Sequence, residues 1–230
     1  MATLGFDIYG TLIDTAGITD ALRPYAGERA PEFAAAWRAK QLEYAFRRGL
    51  MQNFRDFAVC TEQALDWCCL SFGVKLAPAS RDGLLKSYRA LPPFPDALDG
   101  LQRIRAAGLR AYAFSMGRAD DVAGLLEASG LGNYLDGVVS LQEPQMFKPS
   151  PAAYSYFARR VGINMGDAWL VSGNPFDVIG AVSAGMNGAW VKRSPNAIFD
   201  PWEVRPTVEV ETVGALADAI PAYLGAAATP

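Results

Sequence analysis

Asp7-Ile8-Tyr9-Gly10-Thr11-Leu12 closes an apolar run that opens with Leu4, Gly5 and Phe6. A carboxylate at the carboxyl end of a first strand, followed by a Gly turn, lies where open α/β sheets place their ligands. Such a carboxylate can be a nucleophile or a metal ligand. Three later segments carry matching chemistry: Phe114-Ser115-Met116-Gly117, Phe147-Lys148-Pro149-Ser150-Pro151 and Val171-Ser172-Gly173-Asn174-Pro175-Phe176-Asp177. The first ends a strand in a hydroxyl and a turn, the second sets a cation just before a helix start, and in a doubly wound sheet such segments converge on one crevice. The chain contains no histidine. Ser-His-Asp and Cys-His hydrolysis are thereby excluded. Any hydrolysis must run on carboxylates, Lys, Arg, Ser or Tyr.

The elements that would hold these residues can be read from the pattern. Strand-like runs fall at residues 4–6, 111–114, 137–140, 168–171 and 189–191, with helical patterns at 97–107, 120–128, 151–161 and 176–184 between the later ones. Strands alternating with helices imply βαβ units and a parallel sheet. Gly108, Gly130, Gly162 and Gly185 each end a helical pattern, where a left-handed residue is needed. Residues 15–92 break the alternation: they read as helices at 31–51, 54–72 and 80–91, with no strand. The fold class is α/β, a doubly wound parallel sheet with an inserted helical cap. The expected division is a Rossmann-like core at 1–14 and 93–225, the cap at 15–92 and a frayed tail at 226–230. The insert would hang over Asp7 as a lid that excludes water.

Composition narrows the setting. With 230 residues, the chain is one large domain or a core plus an insert. Its 21 basic and 24 acidic residues form no basic stripe, so nucleic acid is not an expected partner. Cys60, Cys68 and Cys69 lack metal-ligand spacing and read as core thiols in a reducing compartment. No apolar run is long enough to span a bilayer and no signal pattern is present. A cytoplasmic protein without a membrane partner is expected.

These motifs resemble the haloacid dehalogenase superfamily, and specifically its L-2-haloacid dehalogenase branch. The resemblance runs along nearly the whole chain. Phe-Asp-x-Tyr-Gly-Thr-Leu at Asp7 matches the first motif and Ser115 the second. Lys148-Pro149 matches the third, with Tyr154 following, and Ser172, Asn174 and Asp177 the fourth. Trp37-Arg38-Ala39-Lys40-Gln41-Leu42-Glu43-Tyr44 resembles the cap helix that supplies an arginine, here Arg38. Phosphatases of the superfamily carry Asp-x-Asp at the first motif and an extra acid in the fourth. Here Tyr9 replaces the second Asp, and Asp177 is the lone acid of 172–177, a poor magnesium site. A halide needs no proton to leave.

The resemblance implies metal-independent, cofactor-free hydrolysis of short L-2-haloacids with inversion, by a homodimer. Asp7 would attack the halogen-bearing carbon, and water, assisted by Asp177, would cleave the ester. Lys148 would hold Asp7 in line. Ser115 and the backbone N–H groups after Asp7, with Ile8 among the binding residues, would take the substrate carboxylate. Arg38 would meet the halide, while Thr11, Ser172 and Asn174 would orient the carboxylates. Tyr9, Leu42, Phe57, Tyr154 and Phe176 would line the pocket. Met116 stands where the branch usually has Asn, Ala39 where Gln is frequent, and Phe176 where some members have Trp. Met donates no hydrogen bond, so these departures bear on substrate identity. Two alternatives stay open: a phosphatase-like hydrolase of the same fold, and a weakly catalytic binder of small acids.

Overall fold

The computed structural model describes residues 2–227. Six parallel strands form one sheet in the order β3-β2-β1-β4-β5-β6. They are β1 (Thr3–Phe6), β2 (Arg110–Ser115), β3 (Val138–Ser140), β4 (Ala168–Ser172), β5 (Asn187–Val191) and β6 (Val208–Val210). All four residues of β1 and all five of β4 are buried. Helices cover both faces, so the central strands read as apolar runs rather than alternating ones. The order reverses between β1 and β4, where the loops part and leave a crevice. Phe6 is level with Ala113 of β2 and Val171 of β4. This register brings Asp7, Ser115 and Ser172 to the same end of the sheet.

Between β1 and β2 the chain makes α1 (Thr19–Ala26), α2 (Ala30–Leu50), α3 (Phe57–Phe72), α4 (Pro78–Tyr88) and α5 (Ala97–Ala106). Helix α2 uses two adjacent stripes. Ala30, Phe33, Ala34, Trp37, Gln41 and Ala45 are buried, and the Trp37 indole N–H donates to Thr61 O of α3 at 2.9 Å. The neighbouring stripe, spaced by four, meets the core. Arg38 reaches Tyr9 O, and Phe46 packs edge-on against Phe176 with ring centroids 5.0 Å apart. The insert leaves and returns through one backbone crossing: Asp14 N donates to Pro92 O and Phe94 N to Leu12 O, both at 2.9 Å.

The later helices are α6 (Ala119–Ala128), α7 (Pro151–Val161), α8 (Pro175–Ser183) and α9 (Leu216–Ala227). Three elements lie outside the expectations from sequence: α1, β6 and α9. Helix α1 has eight residues with Pro24 inside it, and α9 contains Pro221. A proline within a turn hides a helix from pattern reading. Strand β6 has three residues at the sheet edge. Helix α9 continues through Ala227, into the expected tail at 226–230. Residues 228–230 lie outside the described residues.

Candidate active site

The sequence folds here into a polar cluster sunk between apolar layers. Its centre is Lys148, 1% exposed, in the segment between β3 and α7. Its ammonium donates to Asp7 Oδ1 at 3.2 Å, Asp177 Oδ2 at 2.8 Å and Phe114 O at 2.9 Å. It also stands 4.3 Å from the centroid of the Phe114 ring. Burial alone would lower the lysine pKa; the two carboxylates outweigh it and hold the pKa above its usual value. The ammonium therefore stays charged.

Asp7 sits just beyond β1, its N–H donating to Val171 O at 2.9 Å. Its two oxygens have different surroundings. Oδ2 accepts from Asn174 Nδ2 at 2.7 Å, Thr11 Oγ1 at 2.9 Å and Ser172 Oγ at 3.3 Å. Among the described residues, Oδ1 has Lys148 as its one donor. Thr11 and Ser172 are themselves fixed, because Gly173 N donates to Thr11 Oγ1 at 2.9 Å and Asn174 N to Ser172 Oγ at 3.0 Å.

Asp177, on the first turn of α8, is fully buried. Its Oδ2 faces Lys148, and its Oδ1 accepts from the Tyr154 hydroxyl at 2.8 Å. Burial pushes its carboxyl up, to about 6; Lys148 opposes that rise and Asp7 adds to it. Tyr154 is pushed well above its ordinary value, first by burial and then by the Asp177 charge, so it remains a donor. Gly180 makes this approach possible: a Cβ there would lie 2.5 Å from the Tyr154 hydroxyl oxygen.

Two glycines set the loop spacing. Gly10 has φ +82°, a conformation that L side chains rarely adopt. A Cβ on Gly173 would stand 2.3 Å from Gly10 O. The loops after β1 and β4 are thus in backbone contact, which brings Asn174 onto Asp7.

The remaining expected residues divide into two groups. Arg38, from α2, donates through Nη2 to Tyr9 O at 3.1 Å, so the insert does deliver this cation to the loop after Asp7. Ser115 Oγ accepts from Gly117 N at 3.1 Å. Met116 packs in an apolar cluster with Phe57, Phe114 and Phe147, and Leu42 lies against that cluster. Phe176 meets Phe46, and Tyr9 stacks on Tyr88 at 5.8 Å. The Ile8 side chain is fully buried in the main core, so only its backbone can face a ligand. Among the described residues, the N–H groups of Ile8, Tyr9 and Met116 donate to no protein acceptor.

Arg193, just beyond β5, was not read from the sequence. Its Nε donates to Thr11 O at 2.9 Å, its Nη1 to Asp96 at 2.7 Å, and its guanidinium covers the Phe94 ring at 4.3 Å. Arg193 ties the loop bearing Thr11 to the point where the insert re-enters the core. The available signal was a cation just past the end of a buried strand.

The chain is similar to known proteins in both sequence and fold. A family model for haloacid dehalogenase-like hydrolases matches residues 1–185. The chain is 34% identical over 191 residues to (S)-2-haloacid dehalogenase 1 of Pseudomonas sp. strain CBS-3, covering 82% of this chain and 83% of the relative. It is 30% identical over 213 residues to the (S)-2-haloacid dehalogenase of Pseudomonas putida, covering 93% of each. Among solved structures, an L-2-haloacid dehalogenase from Xanthobacter autotrophicus with chloropropionic acid covalently bound superposes with a TM-score of 0.87 at 27% identity. That match covers 96% of this chain and 98% of the other. With a buried Asp–Lys–Asp cluster at the switch point of a parallel sheet and a family model spanning most of its length, the chain belongs to the haloacid dehalogenase-like hydrolases.

Proposed function

We propose that the protein hydrolyses short L-2-haloalkanoic acids to 2-hydroxyacids and halide, without metal, through an ester on Asp7. The observation that carries this reading is the unequal solvation of the Asp7 carboxylate. Oδ2 is tied by three donors, while Oδ1 keeps lone pairs beside a single ammonium. Oδ1 is therefore the attacking atom. It displaces halide from the back of the 2-carbon, forming a carbon–oxygen bond as the carbon–halogen bond breaks, with inversion.

The ester leaves Oδ2 as its carbonyl oxygen. Thr11, Ser172 and Asn174 then stand as donors where negative charge grows during attack by water, an oxyanion hole in function. Asp177 takes one proton of that water and returns it to the departing alkoxide, so the hydroxyacid leaves with the Oδ1 atom while the water oxygen stays in the Asp7 carboxyl, which releases its proton to solvent. One hard displacement becomes two easier steps. Lys148 stays charged throughout and keeps both carboxylates from repelling each other. With two carboxylates against one lysine, the cluster alone would repel an anionic substrate. Arg38, Ser115 and the free N–H groups of Ile8, Tyr9 and Met116 supply the compensating donors.

Tyr9 stands where a phosphatase would hold its general acid, and burial pushes its hydroxyl up, so it stays neutral. In this reading residues 15–92 act as the cap over a core of 1–14 and 93–225, and the enzyme works as a cytoplasmic homodimer. Among the described residues no helix is long and apolar enough to cross a membrane. The deciding experiment is halide release from L- and D-2-chloropropionate, with chiral analysis of the lactate. L-substrate giving D-lactate supports the reading. Retention, racemisation or no halide release overturns it.

A further inference from the structure

We propose that the end of β5 is a positioning clamp for the second half of the reaction. Arg193 and Trp190 hold Thr11 and Gly173 in the register in which the donors to Asp7 Oδ2 serve the ester intermediate. This deepens the dehalogenase reading and rests on it. Both residues act through the two loops rather than on the reacting atoms.

The clamp grips the loops after β1 and β4 together. Trp190 is level with Ser172 of β4, and its indole N–H donates to Gly173 O at 3.2 Å. Arg193 donates to Thr11 O through Nε at 2.9 Å and again through Nη2. Its stem fits against Gly173, where a Cβ would stand 3.0 Å from Arg193 Cγ. The Gly173 N–H in turn donates to Thr11 Oγ1 at 2.9 Å. That bond occupies the acceptor side of the Thr11 hydroxyl and leaves its proton for Asp7 Oδ2, also at 2.9 Å. Asn174, the next residue after Gly173, is the closest donor to the same oxygen. A shift of either loop therefore re-aims two of the three donors.

Stability is a poor explanation for the cation. Only 12% of the Arg193 side chain is exposed. Burial pushes its pKa down, and the Asp96 carboxylate opposes that fall. Asp96 is itself fixed, its Oδ2 accepting from Val213 N at 2.8 Å. Apolar side chains in place of such a pair are often neutral or stabilising. What they cannot supply is a planar fork that holds a carbonyl and a carboxylate at once. Arg193 holds Thr11 O and Asp96 in this way while lying over the Phe94 ring.

The two chemical steps feel the clamp differently. During displacement, negative charge leaves Asp7 for the halide, so donors to Oδ2 favour the transition state no more than the ground state. During ester hydrolysis, charge grows on Oδ2 and the aim of each donor counts. Slack in the clamp slows the second step and spares the first.

The test separates the steps with L-2-chloropropionate and the full-length protein in excess. Halide release in one turnover gives the displacement rate, and decay of the adduct in intact-mass spectra gives ester hydrolysis. Arg193→Gln should keep displacement within about twofold, slow hydrolysis about tenfold or more and accumulate ester. Arg193→Lys keeps the charge without the fork and should accumulate ester as well. Trp190→Phe removes the indole N–H and should move the balance in the same direction; it decides alone if the Arg193 variants do not fold. Equal loss of both steps, or no accumulation of ester, would mark a merely structural role and overturn the proposal. Full hydrolysis in Arg193→Lys would overturn it too, because charge alone would then suffice. A wild type that releases no halide fails the dehalogenase reading itself, and the clamp with it.

Discussion

Asn174 donates to Asp7 Oδ2 at 2.7 Å, and the same nitrogen donates to Tyr9 O at 3.1 Å. Both of its amide hydrogens are engaged, so the carboxylate is fixed to the loop that follows it. That immobility distinguishes the two oxygens of Asp7 and underlies the first prediction.

Asp7→Asn should lower halide release by roughly 10³-fold or more, because an amide is no nucleophile. Circular dichroism should be unchanged, since Lys148 keeps Asp177 as a partner. Asp177→Asn should halt the second step instead. Intact-mass spectra after one turnover would show an adduct that peptide mapping places on Asp7. Full activity in Asp7→Asn would falsify the covalent route.

The pH profile follows from the raised Asp177 carboxyl. The base must be ionised, so single-turnover ester hydrolysis should fall as pH drops through a value above the ordinary carboxylate range. The Tyr154 hydrogen bond favours the ionised form. Tyr154→Phe should therefore move this limb to higher pH, and the loss of a bond to a charged group should cost about 1.5–3 kcal/mol of stability. The stability sign is opposite to the activity sign. A carboxyl raised in the folded state stabilises the fold below its unfolded pKa, and that contribution is lost as pH rises through the folded pKa. A limb that stays put in Tyr154→Phe would remove Asp177 from the base role.

Metal removal is a direct discriminator between reaction types. Lys148 already bridges both carboxylates, at 3.2 and 2.8 Å. EDTA should leave turnover unchanged and added Mg²⁺ should not raise it. Activity lost to EDTA and restored by Mg²⁺ would favour the phosphatase-like alternative.

In the proposed reaction Arg38 would meet the leaving halide and Met116 would not. The Met116 thioether has no donor to offer a halide, and Arg38 is the cation that α2 brings to Tyr9 O. Arg38→Ala should lose about 2 kcal/mol or more of transition-state stabilisation. Met116→Asn should raise kcat on chloroacetate relative to bromoacetate. It should also destabilise the fold by about 1–3 kcal/mol, because the amide enters an apolar cluster. An unchanged halogen profile would show that position 116 faces away from the leaving group.

Gly173→Ala tests the loop spacing. The added methyl would meet Gly10 O at 2.3 Å, a backbone atom that cannot swing aside. Activity should fall by about tenfold or more and stability by about 1–3 kcal/mol, the usual cost of overpacking. Unaltered kinetics would mean that the two loops are not held by this contact.

The sheet was legible because each central strand is an apolar run bounded by Gly or polar residues, and the helices between them end on Gly. The candidate site was legible because the strand ends and the segments that follow them carry chemistry at recognisable spacings: Asp7, Ser115, Lys148 and Asp177. What pattern could not show was contact between distant segments. Arg193 gains its meaning only when β5 is folded against the loop after β1. Helices with internal proline, such as α1 and α9, are set by packing that a periodicity argument does not see.

The paired bonds at Asp14–Pro92 and Leu12–Phe94, with Ile13 bridged antiparallel to Pro93, have a consequence for engineering. The two ends of the long insertion lie side by side, within hydrogen-bonding reach. A short turn from residue 14 to residue 92 would close the chain without moving the parent sheet. The insertion is thus a cassette with a fixed socket, and exchanging it between relatives would graft a new ceiling, with its own residue at position 38, onto an unchanged Asp7–Lys148–Asp177 cluster.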